Sequence, residues 1–203
     1  LVIMELLQRL RVRDVMRNHD IISVARTDSM RFAQNLMKRN HISGVPVVEG
    51  RRLFGIVSIN DIILYVVSRT LAMPEHKALN ANLIDDGKTM KYFRGVNLGM
   101  AVDTERGLMV PTIFNADKMT LKQISDTAKK LAKECKEGKI SPDYLQGGSF
   151  TVSNIGSFGC ESFTPVLNPP QTGILGVCNI QTKIKSAKGG VIETYPAMGL
   201  SLT

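Results

Sequence analysis

The sequence predicts an α/β protein in two parts, residues 1–58 and residues 59–203. Three observations point there. Short apolar runs, about four to eight residues long and bounded by Gly, Pro or Asp, recur along the chain and read as strands. A long amphipathic stretch near 120–138 carries the start and stop signals of a helix. The text also changes character around Ser58–Asp61, from a repeating short strand and helix rhythm to a longer apolar helix and a strand-rich tail. With 43% hydrophobic and 22% charged residues in 203, the composition is that of an ordinary globular chain long enough for one large or two small domains.

In the first part, Leu6, Leu7 and Leu10 give a short apolar face and Ile21-Ile22-Ser23-Val24 reads as a strand. Asp28 or Ser29 is placed to cap a helix whose apolar positions, Met30, Ala33, Leu36 and Met37, fall at helical spacing. Strands are expected at Val45–Val48 and Leu53–Val57, separated by a turn at Gly50-Arg51-Arg52. Ser58 to Asp61 then caps a helix running from Ile62 towards Leu71. The order is β-α-β-β-α.

In the second part, Asn82–Ile84 and Tyr92–Val96 flank an Asp-Asp-Gly turn at 85–87. Leu98–Asp103 and Leu108–Ile113 read as two strands joined through Thr104-Glu105-Arg106-Gly107, with Gly where a positive φ is tolerated. Thr120 and Gln123 form a capping box. Leu121, Ile124, Ala128, Leu131, Ala132 and Cys135 line one face of the helix that follows, and Gly138 ends it. Its five lysines, Lys122, Lys129, Lys130, Lys133 and Lys136, fall mostly off that face and read as solvated surface. Ser149–Ser153 alternates as a strand, and Asn154–Gly159 is a glycine-bounded loop. Gly173–Cys178 reads as a short buried strand, and Ile180–Lys185 with Val191–Tyr195 as a hairpin around Gly189-Gly190.

The formal net charge is +8, denser in the first 58 residues, where ten Lys and Arg face five Asp and Glu. Such a balance fits an anionic ligand or a solvated basic face. Aromatics are 5%, Trp is absent and no helix-turn-helix, zinc or RNA-binding pattern occurs, so no nucleic acid is expected. Cys135, Cys160 and Cys178 show no C-x-x-C spacing, which argues for a reducing compartment without disulfides or structural zinc. No stretch approaches the ~20 apolar residues of a membrane span, and no signal-peptide pattern opens the chain. A cytoplasmic location is expected. The chain begins with Leu and closes on the alternating Leu200-Ser201-Leu202-Thr203, so it reads as a fragment, incomplete at both ends.

Two sets of motifs carry resemblances. V-R-D-V-M at 12–16, I-S-G-V-P-V-V at 42–48 and G-I-V-S-I-N-D at 55–61 together resemble a single CBS motif. That resemblance implies adenine-nucleotide binding (AMP or ATP) with Ser58 and Asp61 on phosphate and ribose. Both residues are equally good helix N-caps, and such motifs normally act in pairs. In the second part, the patch Gly99-x-Ala101-Val102-Asp103-Thr104-x-x-Gly107-Leu108-x-Val110-Pro111 is the first of a series. It is followed by Gly147-Gly148-Ser149-Phe150-Thr151-Val152-Ser153-Asn154-x-Gly156, Phe163-Thr164-Pro165, Asn168-Pro169-Pro170, Ile174-Leu175-Gly176-Val177 and Leu200-Ser201-Leu202-Thr203. In this order and spacing they resemble the catalytic core of the dihydrolipoyl acyltransferases of 2-oxoacid dehydrogenase complexes.

This resemblance implies a chloramphenicol-acetyltransferase-like mixed-sheet core that moves an acyl group, expected to be acetyl, between dihydrolipoamide and coenzyme A. Lipoamide would come from a separate lipoyl domain, and the expected assembly is a homotrimer or larger cage with other dehydrogenase-complex components. The reaction needs a base for the CoA thiol and a donor for the oxyanion of the tetrahedral intermediate. Ser153 matches the family's donor position; Phe163, Asn168 and Leu175 match positions near the CoA and lipoamide channel. The family's base is a His in D-H-x-x-x-D-G, expected just after Thr203. His19, His41 and His76 lie in no such context, so these 203 residues are expected to be inactive alone. The competing reading is a nucleotide sensor fused to a non-catalytic acyltransferase-like scaffold.

Overall fold

The computed structural model describes residues 21–40, 42–50, 52–188 and 191–203. The expectations for Leu6 to Met16, His19, His41 and Gly189-Gly190 lie outside them. The chain divides into two compact units, Leu1–Val57 and Ser58–Thr203.

In the first unit, strands β1 (Val24–Ala25), β2 (Gly44–Glu49) and β3 (Arg52–Ser58) form a three-stranded sheet in that order, and helix α1 (Met30–Asn40) connects β1 to β2. The β1–β2 pairing is parallel, Val24 opposite Val47, as a β-α-β connection requires. Only the end of the strand expected at 21–24 enters the sheet. Ala33 and Met37, one turn apart, are the buried positions of α1, and the Ser29 hydroxyl caps the helix by accepting from the Phe32 amide at 3.1 Å. The Arg26 and Arg52 guanidiniums lie 4.7 and 5.2 Å from the Phe54 ring centroid, which gives two of this segment's many cations an intramolecular partner.

The second unit opens with helix α2 (Ile59–Leu71) and holds strands β4 (Ala81–Ile84), β5 (Thr89–Tyr92), β6 (Leu98–Met100), β7 (Val102–Thr104), β8 (Gly107–Met109) and β9 (Thr112–Ile113). Helix α3 (Leu121–Glu137) and strands β10 (Phe150–Asn154), β11 (Ile174–Lys188) and β12 (Val191–Leu202) complete it. The main sheet is mixed, in the order β12-β11-β10-β6-β9; β10 runs parallel to both neighbours, and the outer pairs are antiparallel. One face carries the core. Phe150 and Val152 of β10, Leu98 and Met100 of β6 and Val177 of β11 pack with Leu64 and Leu71 of α2 and with Ile124, Ala128, Leu131 and Cys135 of α3. The stripe read from the sequence is the buried face of α3. Thr120 and Gln123 form the expected capping box, and Gly138 ends the helix at φ +68°. Lys122, Lys130 and Lys133 pair with Asp126, Glu134 and Glu137 along its exposed side.

The structure corrects three expectations. The two strands expected at 98–103 and 108–113 are four. The Met100 amide donates to the Pro111 carbonyl at 3.0 Å, but Pro111 has no N–H to return, so the β6–β9 ladder stops and β7–β8 forms its own two-stranded hairpin. Residues 93–96 are not a strand, because the Asn80 side-chain amide donates to the Phe93 and Gly95 carbonyls (3.3 and 3.2 Å) and bends the chain away. Finally, the strand expected at 173–178 and the first arm of the 180–195 hairpin are one element, β11, paired along its length with β12.

Candidate functional site

Ser153 is the fourth residue of β10. It is half-buried and its register partner on β11 is Gly176, which in turn faces Ser201 of β12. Successive side chains on a strand point to opposite faces. Phe150 and Val152 face the core, so Ser153 shares the other face with Thr151. Its hydroxyl makes no hydrogen bond with another described residue and is free to donate to a group placed on that face. Thr151, by contrast, is fully engaged: its hydroxyl donates to the Gln171 carbonyl oxygen at 2.6 Å.

Phe163 stands over the adjacent strand. A Cβ on Gly176 would come within 2.8 Å of the Phe163 ring and 3.1 Å of Pro165, so only glycine allows the ring to lie on the sheet beside Ser153. The structure thus brings Ser153 and Phe163 onto one face. Asn168 sits further along the same loop, where its carbonyl accepts from the Gln171 amide at 3.0 Å and shapes the turn around Pro169-Pro170. Leu175 occupies the opposite face of β11 and packs against the helix-covered core, away from Ser153. Cys160 is half-buried with its thiol on the Ser162 carbonyl, while Cys135 and Cys178 are buried. Burial, with a smaller contribution from Glu134, pushes the Cys135 thiol up from its usual 9.0. His76, the one histidine among the described residues, lies in a short turn at Pro74–His76, where its carbonyl accepts from the Leu79 amide.

Ser58 and Asp61 do come together, as a helix cap. The Asp61 carboxylate accepts from the Ser58 amide (2.9 Å) and hydroxyl (2.8 Å), and the Ser58 hydroxyl accepts from the Asp61 amide (3.2 Å). Asp61 is only 2% exposed, with the Lys129 ammonium 3.9 Å away. The Ser58 hydroxyl and one carboxylate oxygen of Asp61, Oδ2, are thus engaged at the start of α2.

Sequence reasoning left out a set of buried amides. Ser149 donates to Asn80 at 2.5 Å and accepts from the Asn97 amide at 3.0 Å, and Asn82 donates to the Gly148 carbonyl. Asn154, directly after Ser153, donates to Asn60 of α2 at 3.2 Å while accepting from the Gly156 amide at 3.0 Å. The Asn-x-Gly spacing at 154–156 signals such a turn; nothing local signals Asn60, its partner 94 residues away. Among the described residues, no group of His, Cys, Asp and Glu could hold a metal ion, and no helix is long and apolar enough to cross a membrane.

Residues 18–203 match the 2-oxoacid dehydrogenases acyltransferase (catalytic domain) family. The chain belongs to this family. Among curated relatives, the dihydrolipoyllysine-residue acetyltransferase component of the pyruvate dehydrogenase complex of Staphylococcus aureus is 39% identical over 140 residues, covering 68% of this chain and 32% of its own length. The Bacillus subtilis protein of the same name is 34% identical over 188 residues, 90% of this chain and 42% of its own length. This chain therefore spans less than half of these relatives.

Solved structures are similar as well. The dihydrolipoamide acetyltransferase of Azotobacter vinelandii, studied for the role of a serine, a histidine and an asparagine in its catalytic mechanism, superposes with a TM-score of 0.65 at 32% identity over 71% of this chain and 58% of that one. A truncated catalytic core of the 2-oxoacid dehydrogenase multienzyme complex from Thermoplasma acidophilum gives a TM-score of 0.61 at 28% identity, over 71% of this chain and 63% of that one.

Proposed function

We propose that this chain supplies part of an acyltransferase that moves an acyl group, acetyl by the names of its relatives, between dihydrolipoamide and coenzyme A. Ser153 is the donor to the oxyanion of the tetrahedral intermediate. The observation that carries the reading is the half-buried, unengaged Ser153 hydroxyl, held on one sheet face beside the Phe163 ring. The fold supplies that geometry before any substrate arrives, which is what an oxyanion donor requires. Phe163 and the turn shaped by Asn168 would flank the acyl and pantetheine groups. Leu175 would act only through the packing of β11. Coenzyme A and a lipoyl group carried on a separate domain are the substrates. A homotrimer or larger cage is part of the same proposal, supported by the similarity to the cubic core of a pyruvate dehydrogenase multienzyme complex at a TM-score of 0.65.

The test is a CoA-dependent acyl-transfer assay on a version of the protein that continues past Thr203 through a D-H-x-x-x-D-G motif. Removing one oxyanion donor costs on the order of 10²–10³ in kcat, about 2.7–4 kcal/mol. Ser153→Ala should show that loss with KM little changed, and equal rates in the two proteins would sink the assignment. The 203 residues alone should show no turnover, since none of His19, His41 and His76 lies in such a motif.

The CBS-like unit enters the proposal through its β-α-β-β order alone. An adenine nucleotide at Ser58 and Asp61 would have to open the capping box. Calorimetry with AMP and ATP is therefore expected to give no heat; saturable heat that Asp61→Ala abolishes would restore the sensor reading.

A further inference from the structure

The end of β10 that carries Ser153 is a strand held from one side only. On the β6 side the ladder pairs Phe150, Thr151 and Val152 with Leu98, Gly99 and Met100, and closes with the Ala101 amide donating to the Val152 carbonyl at 3.0 Å. Beyond Val152 only β11 continues, pairing Ser153 with Gly176 and Asn154 with Val177, and the Ile155 amide makes the last bond, 3.1 Å to the Val177 carbonyl. A strand end with one neighbour is free to twist about that neighbour, and a twist there swings the Ser153 hydroxyl.

The missing support comes from behind. The Asn154 side chain points to the face opposite Ser153, where its amide N–H₂ donates to the Asn60 side-chain oxygen Oδ1 at 3.2 Å. Its own carbonyl oxygen accepts from the Gly156 amide at 3.0 Å, which closes the turn after the strand. Gly156 is pressed against β11, where a Cβ would meet the Cys178 carbonyl at 2.7 Å. The Asn60 backbone lies within the cap of α2. It sits in the first turn of α2, between Ser58 and Asp61, whose three mutual hydrogen bonds fix that turn. The buried capping box is thus the anchor of a chain of contacts that runs Asp61–Asn60–Asn154 to the residue beside Ser153.

We infer that Asn60 is a positioning residue for Ser153, acting through Asn154 to hold the end of β10 in the orientation that aims the hydroxyl at the reacting carbonyl. This rests on the reading of Ser153 as oxyanion donor. Asn60 touches no reacting atom in this account; its effect is on the aim of another group, to which rates are sensitive because small misplacements of catalytic groups are costly.

The experiment is a double-mutant cycle in the extended, assembled protein used for the Ser153 assay. Asn60→Ala should lower kcat about tenfold, well inside the ~10² that misplacement can cost, and leave KM for CoA and for dihydrolipoamide unchanged. Asn60→Asp keeps an oxygen to accept from Asn154 and places an acid in a first helical turn, where it is favoured; it should retain the rate. In a Ser153→Ala background Asn60→Ala should have no further effect. Amide exchange at Gly156 should quicken in Asn60→Ala and not in Asn60→Asp. Asn154→Ala, which removes the donor from the other side, provides a second variant and should repeat the kcat loss. An unchanged kcat in Asn60→Ala, or the same loss with and without Ser153, would overturn the inference. The latter result would leave the oxyanion reading standing, whereas a Ser153→Ala protein with full rate would remove that reading itself.

Discussion

Single side chains in this protein take opposite roles according to which face of the sheet they meet. Val152 and Ser153 are consecutive, yet one closes the core and the other keeps a hydroxyl unengaged. The same logic separates Gly176, which makes room for Phe163, from Leu175, which packs into the core. The three thiols sort likewise. Cys135 is buried on the core face of α3, and the loss of water around it raises its pKa from 9.0. A raised folded-state value means that the folded protein holds its proton where the unfolded chain has lost it. The stabilisation is complete below the unfolded value and declines as pH rises above about 9 through the folded one. Urea midpoints should therefore fall above that pH, and fall less in Cys135→Ala. At pH 8 a thiol reagent should modify Cys160 first and reach Cys135 only on unfolding. Of the residues proposed for the site, Ser153 and Phe163 are legible in the sequence through their motifs. Asn60 is not, because a side-chain pair 94 residues apart leaves no local periodicity to read.

At the scale of elements, legibility followed how much of an element's stability is local. Helix α3 declares itself through a capping box, an apolar stripe and a closing glycine, all within one segment, and the structure reproduces each. The capping residue can be tested directly. Thr120→Ala removes the acceptor for the Gln123 backbone amide and the hydroxyl that donates to the Gln123 side-chain oxygen, which also accepts from the Thr120 amide. The loss should be about 1 kcal/mol of unfolding free energy, seen as a lower denaturant midpoint at unchanged slope. A cap that contributed nothing would leave the midpoint in place. The division of strands β6 to β9 is not visible locally because pairing is decided by a partner: a proline that accepts but has no N–H to return splits two apparent strands into four. The length of β11 is hidden for another reason. Beyond Cys178 its residues are largely polar, among them Asn179, Gln181, Thr182, Lys183 and Lys185, so the apolar run ends while the backbone pairing with β12 goes on.

For the whole molecule, the decisive boundary is Ser58. It closes the last strand of the first unit and caps the first helix of the second, so the change of rhythm read near 58–61 coincides with a residue that serves two elements. The core of the second unit is drawn from Leu64 through Val177, with partly buried side chains from Ile63 to Met198 packed against it. None of these residues precedes the helix that Ser58 caps. A chain beginning at Ser58 therefore keeps every one of those core residues and the capping box, and it should fold cooperatively with native helix content by circular dichroism. A chain beginning at Ile62 keeps the same core but loses Ser58 and Asp61, and leaves the first amides of α2 without their partners. That shorter piece should be less stable by about 1 kcal/mol for the lost cap, and its Gly156 amide should exchange faster, since Asn60 is gone as well. Paired urea titrations and exchange measurements on the two pieces decide the matter. If the Ser58 piece failed to fold, the core of the second unit would need residues from the first; if the two pieces matched in stability and exchange, the capping box would hold neither α2 nor the strand end that carries Ser153.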